Sequence, residues 1–191
     1  MASNRHLGRI IALQTLYEQD FRLGSNDITF DLNEVLDRNI GRYRATVDDK
    51  GFVQRLVDGV DATRASVNEL LRPIAPEWPI EEIARMDRTI LQMGVYELLH
   101  EKDTPPKVVI NEAVELAKAF GSENSSKFVN GVLGTVLKQH IQPDDKGDDI
   151  VAEADSSTPS EGEQPKEAPA PAPDPDPEQE IDTKTDNQKE N

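Results

Sequence analysis

Cysteine is absent from the 191 residues, which excludes a disulfide framework, a thiolate zinc site, an iron–sulfur cluster and a cysteine nucleophile. A cytoplasmic protein is favoured by that absence. No apolar run approaches the roughly 18 residues of a membrane span. The N-terminal stretch, Met-Ala-Ser-Asn-Arg-His-Leu-Gly-Arg, leads into an amphipathic segment with polar residues every few positions, so neither secretion nor membrane insertion is expected. Histidine is scarce as well: His6, His100 and His140 lie far apart, without the spacing that would put two ligands on one helical face. No glycine-rich phosphate loop occurs, since Gly121, Gly131 and Gly134 fall at a helix stop and inside a helix rather than after a strand. There is no Gly-x-Ser-x-Gly elbow, and the acid pairs Asp48-Asp49 and Glu81-Glu82 are adjacent, so on a helix they diverge. These absences argue against an enzyme and for a chain with no metal and no cofactor.

Charge of one sign is in excess: 37 acidic against 21 basic residues give −16. The excess is not uniform. Residues 142–191 hold 16 acids and four lysines, a charge of −12, together with eight of the 13 prolines, whereas the first 141 residues carry only −4. The longest apolar run of that tail is Ile150-Val151-Ala152, too little to offset the entropy of ordering it. We therefore expect one domain over residues 1–141, followed by a disordered acidic, proline-rich tail over 142–191.

The first part reads as successive helices with no sustained period-two alternation, hence all-α. Leu7, Ile10, Ile11, Leu13, Tyr17 and Phe21 make one face of a helix from about Asn4 to Arg22, ended by Gly24-Ser25-Asn26-Asp27. A weaker segment, Leu32 to Thr46, is interrupted by Gly41, and a third, Asp48 to Arg72, stops before Pro73. After a rigid linker from Pro73 to Pro79, a helix from Ile80 to His100 is apolar around most of its circumference and so is expected at the centre. Glu81 and Glu82 would occupy its first turn. Val109, Ile110, Ala113, Val114, Ala117 and Phe120 form the next stripe, with Gly121 as its stop and Ser122 as the cap of a last helix running to about His140. Gly131 and Gly134 inside that last helix suggest close approach by a neighbour.

Met1 to Tyr17 contains Arg5, His6 and Arg9 and no acid. Arg5 and Arg9 are four residues apart, about 6 Å on one helical side, a spacing suited to neighbouring phosphates or to an ordinary solvated face. Three further segments are more specific. They are Ala12-Leu13-Gln14-Thr15-Leu16-Tyr17-Glu18-Gln19-Asp20, Ile90-Leu91-Gln92-Met93-Gly94-Val95-Tyr96-Glu97-Leu98, and the long block from Pro106 through Gly121 to Leu133. In order and spacing, over roughly residues 4–140, these resemble the NusB family of bacterial transcription antitermination factors. The resemblance implies an all-α fold of two packed helical bundles, about six to seven helices. It also implies a non-catalytic role: binding the boxA element of nascent ribosomal RNA transcripts as a single strand, together with ribosomal protein S10 (NusE), and joining the RNA polymerase elongation complex with other Nus factors.

Carried over to this chain, the family's arginine-rich N-terminus falls on Arg5, His6 and Arg9, with histidine where arginine is common. Its further RNA-facing positions fall on Gln14, Tyr17, Phe120, Lys127 and Phe128, and Asn124 lies in the same helix-start turn, where a neutral amide does not repel phosphate. Aromatic rings on which unstacked bases lie, amides that bond base edges and cations on phosphates are what single-stranded RNA requires. Tyr17, Phe120 and Phe128 also lie on core stripes, and Asn124 could equally cap its helix. The S10-facing positions fall on Glu81 and Asp87, acids suited to a basic partner. Dipole stabilisation for Glu81 and an ion pair of Asp87 with Arg85 or Arg88 are the alternatives. Two other functional readings remain at this point: a helical protein-binding adaptor without RNA, and an accessory domain like those of some ribosomal RNA methyltransferases. The family leaves monomer or homodimer open, and the tail is either a solubilising appendage or an acidic competitor for the RNA face.

Overall fold

A computed structural model describes residues 4–75 and 79–141. The proposed tail, 142–191, and the linker's Pro76, Glu77 and Trp78 lie outside the described residues. Among those described, all regular structure is helical: α1 (Asn4–Gly24), α2 (Leu32–Arg42), α3 (Lys50–Leu71), α4 (Arg85–His100), α5 (Pro106–Phe120) and α6 (Ser125–Val136), with a π-helical turn over Leu137–Ile141. The all-α expectation holds, and the helices form two bundles that share α4.

Local chemistry sets the boundaries. Asp31 caps α2 by accepting from the backbone N–H of Asn33 and Glu34, and Asp49 caps α3 through Phe52 N–H. Helix α5 opens after Pro105 with Pro106 at its first position, where no helical hydrogen bond is lost. Three boundaries differ from the sequence reading. Helix α2 ends at Arg42, and residues 43–46 form turns whose amides bond back to Ile40, Gly41 and Tyr43 carbonyls. The central helix starts at Arg85, not Ile80: Pro79 opens a separate turn in which Glu82 and Ile83 amides bond to its carbonyl, so Glu81 and Glu82 precede the helix. The last regular helix starts at Ser125, three residues after Ser122.

Helix α4 is the axis of the fold, as its composition required. Ile90, Leu91, Met93 and Val95 are fully enclosed, with α1 and α3 on one side and α5 and α6 on the other. Around it, α1 contributes Ile11, Leu13 and Leu16, α3 contributes Phe52, Leu56 and Val57, and α6 contributes Val129, Leu133 and Val136. Burying each such side chain stabilises by about 1.5–3 kcal/mol. The other face of α1 is not core. Tyr17 is half-buried and Phe21 is exposed, although both belong to the apolar stripe of the sequence.

Close helix approach occurs at a different glycine from those expected. A methyl built on Gly94 of α4 would lie 2.7 Å from Leu133 Cδ1 of α6, whereas at Gly131 and Gly134 it would meet nothing within 4 Å. Gly131→Ala and Gly134→Ala should therefore each stabilise the fold, by up to about 1 kcal/mol from helix propensity alone. Gly94→Ala should destabilise it by about 1–3 kcal/mol through overpacking. Urea midpoints of the three variants check both signs.

Candidate nucleic-acid interface

The N-terminal basic segment is folded inward. Arg9 is only 3% exposed: its Nε donates to Glu97 Oε1 at 2.9 Å, its Nη2 to Glu97 Oε2 at 2.7 Å, and its Nη1 lies 3.5 Å from Glu112 Oε2. His6 Nδ1 is 2.7 Å from the same Glu112 oxygen, and Arg5 bonds Thr104 Oγ1 at 3.3 Å with Asp49 at 3.9 Å. Both arginines also stand over the Phe52 ring, at 5.3 Å. Arg9 cannot serve as the phosphate contact the sequence suggested. Its guanidinium satisfies a carboxylate in the core, and Arg5 and His6, half-buried, are each engaged with side chains of other segments. A sequence signal for this existed: Glu97 sits on the core-facing line of α4, where a carboxylate needs a buried cation. Burial pushes the Glu97 carboxyl above its ordinary range, against the opposing pull of Arg9.

Three of the remaining candidates meet at one cavity. A pocket of about 270 Å³ is lined by Leu13, Gln14, Tyr17, Glu18, Met86 and Phe120. Phe120 is 41% exposed at the end of α5, because Gly121 turns the chain away there and leaves its ring on the pocket wall. Gln14 Nε2 reaches Tyr43 Oη at 3.5 Å. Glu18 is paired with Arg22 and Arg38, which neutralises the acid beside the pocket.

A second cleft, about 420 Å³, lies where the starts of α4 and α6 come together and is lined by Ile83, Asp87, Ser122, Asn124, Ser125 and Phe128, among others. Ser125 organises it. Its Oγ accepts from Ser122 N–H at 2.7 Å and donates to Asp87 Oδ2 at 2.9 Å. Gly121 permits this turn, since a Cβ there would sit 2.5 Å from Ser125 Oγ and 2.7 Å from the Ala117 carbonyl. Asn124 is exposed at the N-cap position and makes no side-chain capping bond, so its amide faces outward. Lys127 is exposed with no ion-pair or hydrogen-bond partner among the described residues.

The two acids of the suggested S10-facing surface differ. Glu81 is exposed, with Arg72 Nη2 at 3.1 Å. Asp87 is buried, and its Oδ1 has no hydrogen-bond partner among the described residues. The ion pair of Asp87 with Arg85 or Arg88 is not formed. Both arginines turn instead to Asp20, at 2.8 Å each, joined there by Arg64 at 3.3 Å. This cluster was missed in the sequence because Asp20 lies 44 to 68 residues from its three arginines.

Residues 6–138 match the sequence model of the NusB family. The chain belongs to the NusB family. It is 41% identical over 143 residues to the transcription antitermination protein NusB of Chloroflexus aggregans, covering 74% of this chain and 91% of that one. To its counterpart in Roseiflexus castenholzii it is 42% identical over 142 residues, covering 73% and 96%. Among solved structures, T. maritima NusB superposes with a TM-score of 0.65 at 32% identity, covering 73% of this chain and 94% of that one. The antitermination factors NusB and NusE in complex with double-stranded RNA give 0.62 at 25% identity, covering 72% and 98%. Among the described residues no group of three or more His, Asp or Glu could hold a metal ion, and no helix is long and apolar enough to cross a membrane.

The N-terminal geometry makes a stability prediction for this NusB-family chain. Arg9→Ala should cost about 3–5 kcal/mol by leaving Glu97 buried without its cation. Chemical denaturation reads that loss, and Arg9→Met combined with Glu97→Leu should recover most of it.

Proposed function

We propose that this chain is a transcription antitermination factor that acts in the cytoplasm by binding and not by catalysis. It takes up single-stranded, boxA-type RNA of nascent ribosomal transcripts together with ribosomal protein S10 (NusE), and joins the RNA polymerase elongation complex with other Nus factors. Residues 1–141 are the binding domain. The observation that carries this reading is the convergence of Gln14, Tyr17 and Phe120 on one cavity beside the Asn124–Phe128 cleft. Met86 lines one cavity and Asp87 the other, so the two straddle the first turn of α4.

Each part has a chemical task. Tyr17, Phe120 and Phe128 offer ring surface for unstacked bases, while Gln14 and Asn124 offer amide donors and acceptors to base edges. Lys127 supplies the uncompensated cation, on the first turn of α6, where the helix dipole also favours phosphate. Arg5 and His6 contribute through their half-exposed edges, whereas Arg9 holds the segment in place. The exposed acids Glu81 and Glu82 attract the basic partner protein.

Two kinds of loss separate stacking from charge in a titration of boxA-like RNA at several salt concentrations. Phe120→Ala should weaken binding by about 1–3 kcal/mol with the salt slope unchanged. Lys127→Ala should weaken it while lowering the slope by about one. If neither variant affects binding, the RNA reading fails. Glu81→Lys should weaken S10 capture in a pull-down without lowering the melting temperature, since that side chain is exposed.

A further inference from the structure

Beyond the Tyr17–Phe120 cavity, α1 continues for one more turn and presents an aromatic ring that no core contact explains. Phe21 is 52% exposed. It lies four residues after Tyr17, about 6 Å further along the helix axis, and so on the same side of α1. The Arg85 guanidinium stands over its ring at 5.2 Å. Arg85 immediately precedes Met86, which lines the cavity, so the Phe21–Arg85 pair abuts the cavity at its Tyr17–Met86 end.

The pair is held in place. Arg85 Nε donates to Asp20 Oδ2 at 2.8 Å, which fixes the guanidinium plane, while its two Nη groups make no hydrogen bond among the described residues. Arg88 and Arg64 converge on the same carboxylate, and Arg64 also reaches Asp61 at 3.8 Å. Three guanidiniums therefore share the one Asp20 carboxylate, with Asp61 beside Arg64 alone. Of the three, Arg85 is the most exposed. An exposed ring beneath a clamped, incompletely paired guanidinium suits a nucleotide: the ring and the guanidinium plane offer stacking surface, and the free Nη edge offers paired donors to a phosphate.

We infer that Phe21 and Arg85 form an additional nucleotide subsite, extending the RNA track past Tyr17 and Phe120 by one unstacked base and its phosphate. This rests on the RNA-binding reading above and deepens it: the preferred ligand is a single strand longer than the segment that the Tyr17–Phe120 cavity alone would hold.

The test uses the full chain and a boxA-like RNA core, alone and extended by two nucleotides at either end, titrated by fluorescence anisotropy. For the wild-type chain, one of the two extensions should tighten binding about tenfold, the effect of one stacked base. Phe21→Ala and Arg85→Ala should abolish that gain while binding the unextended core as the wild type does. Arg85→Lys, which keeps the charge and loses the planar fork, should restore only part of it. Phe120→Ala should weaken core and extended RNA alike. Thermal melts of each variant confirm that it is folded. If neither extension tightens binding, or if Phe21→Ala and Arg85→Ala leave the gain intact while Phe120→Ala weakens the core, the subsite is overturned and the RNA reading stands. If Phe120→Ala also changes nothing, both fall. Loss of S10 capture by Phe21→Ala with RNA binding unchanged would make the patch a protein-docking surface and overturn the inference.

Discussion

A single buried ion pair ties the two halves of the fold together. Arg9 enters from α1 and meets Glu97 on α4, the helix both bundles share, while Glu112 on α5 reaches the same guanidinium from the second bundle. Phe52 of α3 closes the site from below with its ring. One side chain therefore joins its own helix to three others, whose contacts are otherwise dominated by apolar packing with no directional preference. Hydrophobic burial would bring these helices together in several registers. A bidentate guanidinium–carboxylate contact at 2.7–2.9 Å is satisfied in only one.

That constraint determines what the rest of the surface can offer. With Arg9 withdrawn into the core and Arg5 and His6 engaged at its edge, the N-terminal segment is no longer the free basic arm suggested by its composition. In the proposed RNA reading the positive charge comes from elsewhere, from the exposed Lys127 at the start of α6. Beside it lies a face of rings and amides. Such a face matches single-stranded RNA better than a duplex, because stacking rather than dense phosphate contact supplies most of its attraction.

Much of the fold was legible because helix periodicity is a local property. The segments of α1, α3, α4 and α5, the capping prolines and the central placement of α4 follow from residues close together in sequence. The boundaries that shifted did so where a turn competed with a helix. Pro79 reads equally well as the first residue of a helix or of an isolated turn, and only the packing of Ile80 and Ile83 into the core decides for the turn. The site was legible in part for the same reason. Gln14 and Tyr17 share a helix face, but their meeting with Phe120 depends on how α1 and α5 lie beside α4. Arg9 misled because an arginine in an otherwise acid-free segment looks solvated until its partner 88 residues away is known. The glycines misled in the same way: Gly131 and Gly134 face open space, and tight contacts fall on Gly59 and Gly94, where nothing in the local sequence distinguishes packing from tolerance.

An acidic chain needs a way to keep its own carboxylates from repelling a polyanion, and around the Tyr17–Phe120 cavity the arrangement is consistent. Glu18, at the cavity wall, is held by Arg22 and Arg38; Asp20, two residues on, by three arginines. Glu97 and Glu112 are engaged by Arg9 and His6. Exposed acids without such compensation among the described residues lie at the second cleft: Glu82 on its wall and Glu123 beside Asn124. Net charge is thus a poor guide to this surface. Which carboxylates are paired, and by what, distinguishes the Tyr17–Phe120 cavity, whose acid Glu18 is neutralised, from the second cleft, whose wall keeps Glu82 and the unpartnered Asp87 oxygen.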